Sequence, residues 1–340
     1  MSEKVVRKTF SKETFSKINL GKSREIGMIG FIVIISIFVQ MRNPNFLTLE
    51  NINDLLKNTA ILSILSVGMM LVMITRGIDL SIGATLALSG MIASLTVSAN
   101  PNLSPIIAIG IGIGVGIVCG AVVGGLVSKG GIYPIIATLG MMNVYRGLTF
   151  MSSNGKWVSA QQMPVSFKAI ATSSILGINT LIFVAIVVYI IIYYFINHTR
   201  TGRKIYAVGS NPESAEVSGI NNKRILFMVY TIMGALAGLA GVLWVSKFAS
   251  AQGDTASGYE MSVIAACVLG GVGMSGGSGT IPGILIGSLL LGILNNALPL
   301  INVSTFWQNA IQGAIILIAI IVNTIVKRRV DKKNLSRRKI

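Results

Sequence analysis

Apolar runs of about 18 residues or more recur along this chain, separated by short polar connections. Runs of that length are what α-helices need to cross the ~30 Å hydrocarbon core of a bilayer. Ten candidates stand out, at roughly 26–41, 55–75, 81–99, 104–128, 132–150, 174–196, 226–248, 260–273, 281–300 and 307–326. The first is short and the eighth ends in glycines. Only 11% of the 340 residues are charged, well below the quarter or so of a typical soluble domain. The expected fold is therefore all-α: a polytopic membrane helical bundle of about ten transmembrane helices. It reads as one membrane domain, 26–326, between a basic tail 1–25 and a basic tail 327–340. The first apolar run has no small-residue cleavage site after it, so it is expected to stay as an uncleaved helix.

The net charge of +17 raises the question of nucleic acid. Its distribution answers it. With ten spans, 22 of the 28 Lys and Arg residues fall on one side, in the two tails, at Arg76 and Lys129, and in an island at 197–224. Arg42, Lys57, Arg146, Lys156, Lys168 and Lys247 fall on or near the other. This is the bias that places basic loops in the cytoplasm, not a basic face for nucleic acid. It predicts a multi-pass membrane protein with both termini cytoplasmic. The two cysteines, Cys119 and Cys267, lie inside apolar runs and read as packing residues; His198 is the only histidine. No metal site, cofactor or catalytic set is expected from such an inventory.

Three stretches stand out for mechanism. The first is the island 197–224. Asn211 is a good helix N-cap, Pro212 fits the first helical position, Glu213 and Glu216 suit a positive helix end, and Gly219 suits a C-cap. A helix over 212–218 is too short to stand alone in water, so it is either part of a solvated loop or a docking element held by a partner. The second is Thr75 to Gly83, where Asp79 reads either as part of a capped tight turn between helices or as an ion site, with Arg76 three residues earlier and Ser81 competing for the cap. The third is Gly270 to Thr280, glycine-rich but without the Gly-Lys-Ser/Thr ending of a P-loop; it reads as a tight, bendable cytoplasmic turn. Elsewhere Gly116, Gly120 and Gly124 line one helix face for close packing. The outer segment 151–173 is expected to place Trp157 and Phe167 at headgroup level or in a short interfacial helix.

Four segments, in order, resemble the permease subunits of bacterial ABC importers for monosaccharides, the ribose-type branch. They are Gly77 to Gly83; Thr138 to Gly147; Thr199 to Arg203 with Ala207 to Ala215 and Ser218 to Ile220; and Gly270 to Thr280 with Asn295 and Asn296. Ser304 to Gln308, with Gln312, inclines the likeness towards permeases for rhamnose or autoinducer-2. The resemblance implies a type II-like importer permease of the bacterial cytoplasmic (inner) membrane, working as a dimer with a second permease chain, the same or related. An ABC ATPase subunit would sit on the cytoplasmic side and an extracytoplasmic solute-binding protein on the other. ATP hydrolysis would belong to the separate ATPase, so this chain is not expected to be an enzyme. Gly202, Arg203, Ala207, Gly209, Asn211, Pro212, Glu213, Glu216 and Gly219 would then couple it to the ATPase. Asn143, Tyr145, Asn295 and Asn296 are polar groups in or near spans; they read either as helix–helix hydrogen bonds or as parts of a solute path. The alternatives are an ABC permease for nucleosides or branched-chain amino acids, and an ion-coupled carrier, which would need a titrating membrane carboxylate.

Overall fold

The computed structural model describes residues 20–304 and scattered positions between 307 and 321. Twelve α-helices lie among the described residues: α1 Leu20–Arg42, α2 Leu49–Ile74, α3 Ile82–Ala99, α4 Pro105–Ser128, α5 Pro134–Ser152, α6 Val165–Thr172, α7 Thr180–His198, α8 Arg200–Ser210, α9 Pro212–Val217, α10 Asn222–Phe248, α11 Tyr259–Leu269 and α12 Ile281–Leu300. Their starts follow local chemistry. Proline opens α4, α5 and α9, and the side chains of Thr48, Asn179, Asn221 and Thr280 each accept a hydrogen bond from the first turn of the helix that follows.

Nine of the ten expected spans meet a helix. Among the described residues, seven helices are long and apolar enough to cross a membrane. The eighth run is the exception in length: α11 has 11 residues, about 16 Å, or roughly half a bilayer core. The run 174–196 also starts late, because 174–179 forms a two-stranded hairpin, β1 Ser174–Ile175 and β2 Ile178–Asn179, before α7. The tenth run, 307–326, lies largely outside the described residues, as do tail 1–19 and tail 327–340.

The core gathers around α2 and α10. Helix α2 is buried on every face from Thr59 to Ile74, as a central helix must be. Helix α4 lies on α10 with backbones touching. A Cβ on Gly116 would stand 2.8 Å from the Gly238 Cα, and one on Gly120 would stand 2.9 Å from the Gly234 Cα. The glycine repeat of α4 thus meets a second one on α10, the small-on-small packing that brings membrane helices together. Outward surfaces are apolar, with Val118 on α4, Ile136 on α5, and Ile190 and Ile191 on α7 all exposed.

Connections assigned to one side by charge bond to one another. At the outer end Asn43 Nδ2 donates to the Leu300 carbonyl at 2.9 Å, and Val158 and Ala251 exchange backbone bonds at 3.0 Å. Phe167 lies in a short helix, α6, and is buried because α6 packs on α10: the Ser246 hydroxyl donates to the Phe167 carbonyl at 2.9 Å and accepts from the Ala171 amide at 3.0 Å. Trp157 is exposed.

Candidate functional site

The polar island folds into two helices. Thr199 caps α8 by accepting the Gly202 amide at 3.0 Å, and Ile205, Val208 and Gly209 turn inward while Arg203 and Lys204 face out. At Asn211 the backbone becomes extended, and its Oδ1 accepts the Ser214 amide at 3.0 Å to start α9, with Pro212 in the first position. Gly219, at φ +79°, ends it. The Gly219 amide donates to the Glu216 carbonyl at 2.9 Å and the Ile220 amide to the Ala215 carbonyl at 3.0 Å, the paired bonds of a glycine-terminated helix. Ala215 faces inward; Glu213, Glu216 and Val217 are exposed, Val217 by 90%. Helix α8 was not expected. Its signal was a capping Thr199 ahead of Ile205 and Val208, overshadowed by the basic residues between them.

The three stretches singled out in sequence meet here. Arg76, at the end of α2, donates through Nε to the Gly209 carbonyl and through Nη2 to the Ser210 carbonyl, both at 2.7 Å. A guanidinium thereby satisfies the carbonyl end of α8, where a cation is also favoured by the helix dipole. The Gly277 amide donates to the Ile74 carbonyl at 2.8 Å, and the Tyr206 hydroxyl to the Gly279 carbonyl at 2.7 Å. Burial pushes the Tyr206 phenol above its ordinary pKa. The fit depends on Gly209: a Cβ there would collide with the Ile74 carbonyl and stand 2.8 Å from the Gly277 nitrogen. Gly202 is similarly close to the end of α7, where a Cβ would meet the Ile196 carbonyl. Ala207 is half-buried beside this joint. Asn222 Nδ2, at the start of α10, holds the Pro212 carbonyl at 2.8 Å.

Asp79 does not pair with Arg76. It is buried, and its Oδ1 accepts both the Ser81 amide at 2.9 Å and the Ser81 hydroxyl at 2.6 Å. Ser81 precedes α3 but makes no side-chain cap of its own. The polar residues proposed near the solute do not come together. Tyr145 is buried and donates to the Cys119 carbonyl at 2.7 Å, bracing α5 on α4. Asn296 and Asn51 exchange amide bonds at 2.9 and 3.0 Å between α12 and α2. Asn295 is half-buried on the preceding position, and Asn143 is exposed on α5, where its Nδ2 donates to the Leu139 carbonyl of its own helix at 3.0 Å. Among the described residues no group of three His, Cys, Asp or Glu side chains is placed to hold a metal.

Residues 51–320 match the model of one protein family, described as the branched-chain amino acid transport system / permease component. The chain belongs to that permease family. Among its relatives is the ribose import permease protein of Escherichia coli (strain K12), 40% identical over 298 residues, which are 87% of this chain and 92% of the relative. The ribose import permease protein of Bacillus subtilis (strain 168) is 40% identical over 305 residues, 89% and 94% of the two chains. The L-arabinose ABC transporter permease protein of Azospirillum brasilense is 35% identical over 295 residues, 87% and 86%. No solved structure matches the chain. As a permease component with helices able to cross a bilayer, the chain is a membrane protein.

Proposed function

We propose that this permease passes a monosaccharide into the cytoplasm by alternating access, driven by a separate ABC ATPase and fed by an extracytoplasmic binding protein. The observation that carries the coupling is the joint at Ile74, Arg76, Gly209 and Gly277, from which α9 projects with Glu213, Glu216 and Val217 free. A helix of six residues held at both ends but bare on its outer face suits docking into a groove better than a solvated loop. Nucleotide-driven closure of an ATPase pair would move α9, and α8 would pass the movement to α2. Such a ligand shifts the permease only through its different affinity for the two conformations. The basic residues of the island support a cytoplasmic position for this end, and the reading includes a second permease chain, the same or related, alongside.

The sugar class follows from relatives that carry ribose and L-arabinose in their names. Branched-chain amino acids, named in the family description, are the second reading; uptake of labelled ribose, arabinose and leucine by the reconstituted importer separates the two. The coupling role is tested by Glu213→Lys and Glu216→Lys. These are expected to abolish ATP-driven uptake while the permease remains folded in the membrane. Uptake at the wild-type rate with a normally assembled ATPase would remove α9 from the coupling route.

A further inference from the structure

Two helices of this bundle begin inside it. Helix α11 spans only about half a bilayer thickness, the segment 249–258 leads into it, and α3 begins against their junction. A Cβ on Gly83, in the first turn of α3, would stand 2.7 Å from the Ala256 carbonyl and 2.8 Å from Glu260 Oε2. Neither start is capped by a side chain: Ser81 and Gly258, the capping positions, make no such bond. The positive ends of both helix dipoles therefore come to one small region, where the Tyr259 and Met261 amides are bonded to the Ala256 and Gly258 carbonyls at 3.2 and 3.1 Å.

Glu260 lies in that region. It is 9% exposed, and its carboxylate has no hydrogen bond or ion pair among the described residues. A carboxylate among membrane helices with no hydrogen bond among the described residues points to function. Across from it, Arg146 of α5 uses one nitrogen, Nη1, to hold the Gly253 carbonyl at 2.9 Å and the Thr255 carbonyl at 2.7 Å. Its other guanidinium N–H groups make no bond among the described residues. Glu260 and Asp254 act electrostatically on Arg146, yet neither is within ion-pair distance of it. Asp254, Ser257, Gly258 and, on α5, Asn143 and Gly147 are exposed beside them, so the region has an open side.

Separated donors and acceptors with an almost balanced charge fit a ligand that is uncharged and carries both kinds of group. Adjacent hydroxyls do this: each donates to a carboxylate and accepts from a guanidinium or a helix amide. Helix starts meeting at mid-depth are also where transporters of other folds bind their solutes. We propose that Arg146, Asp254, Glu260 and the facing starts of α3 and α11 are the mid-depth contact point for a neutral, polyhydroxylated solute. The proposal rests on the sugar-permease reading and assigns that reading its contacts.

The test uses the full importer, with its ATPase and binding protein, in lipid vesicles, and labelled D-ribose and L-arabinose as probes. Glu260→Gln and Asp254→Asn keep side-chain shape while altering charge and hydrogen bonding. Both are expected to raise the KM for uptake by about tenfold or to reverse the preference between the two sugars. Variants that assemble and keep the wild-type KM and preference overturn the proposal. So does a Glu260→Gln chain that fails to assemble beside an Asp254→Asn chain that transports normally, since Glu260 would then be structural. A wild-type importer that takes up neither sugar overturns the sugar reading and this proposal together; wild-type uptake with unaffected variants overturns this proposal alone.

Discussion

Gly209→Ala is the sharpest probe of the coupling joint, because the atoms it disturbs are backbone. The added methyl would collide with the Ile74 carbonyl and lie 2.8 Å from the Gly277 nitrogen. No side-chain rotation relieves that contact, so α8 must move away from α2. Overpacking of this kind costs about 1–3 kcal/mol. The movement also strains the Arg76 bond to the Gly209 carbonyl and the Gly277 bond to the Ile74 carbonyl, so the upper half of that range is expected. At 1.4 kcal/mol per tenfold, 1–3 kcal/mol shifts the closed joint by roughly fivefold to hundredfold. Uptake and ATP hydrolysis measured together in vesicles would show it as fewer solutes moved per ATP, with the ATPase still bound. Gly114→Ala is the control, since nothing lies within 4 Å of a Cβ there. If Gly209→Ala transports as efficiently as Gly114→Ala, the joint does not carry the coupling.

Two further outcomes follow from the packing. Gly120→Val forces apart the α4 and α10 backbones, where a Cβ would already stand 2.9 Å from the Gly234 Cα, at about 1–3 kcal/mol; a lowered melting temperature in detergent is expected, and an unchanged one would contradict the close contact. Tyr145→Phe removes the bond to the Cys119 carbonyl, worth about 0.5–1.5 kcal/mol; melting should fall slightly while the KM for sugar holds, whereas a changed KM at constant melting would put Tyr145 in the solute path.

Much of the bundle was legible because a helix in lipid declares itself by length and apolarity, and α2, α4, α10 and α12 lie close to the runs that predicted them. The limits of α9 were legible for a different reason: Asn211, Pro212 and Gly219 are local signals whose bonds close within a few residues. The length of α11 was harder. Its apolar run continues to 273 in sequence, but the helix ends at Leu269, where Gly270 packs close to the Gly283 carbonyl of α12 and Gly271 turns the chain at φ +94°. Glu260 went unremarked although a carboxylate at the head of an apolar run is itself a signal. The meeting of Arg76 with Gly209, 133 residues away, has no local trace, because it depends on where α2 and α8 end in space.

The two ends of the bundle are built differently, and the difference bears on how a push at α9 is received. At the outer end, side chains tie elements together: Asn43 to Leu300, Asn51 to Asn296, Lys247 to Asn58, and Ser246 to α6. At the inner end, much of the joint is backbone against backbone. It is made at Ile74, Gly209 and Gly277, with Arg76 and Tyr206 as the side-chain ties. Gly276 and Gly277 there hold φ of +80° and +72°, a conformation glycine adopts without strain. A displacement of α9 carried by α8 thus meets α2 at a place where the chain can turn with few side-chain contacts to break. From Ile74 the chain reaches Ile82, the first residue of α3, in eight residues, and α3 begins against Glu260. The route from the docking helix to the proposed solute contact therefore follows covalent chain for its last step and needs no long series of packed side chains to carry it.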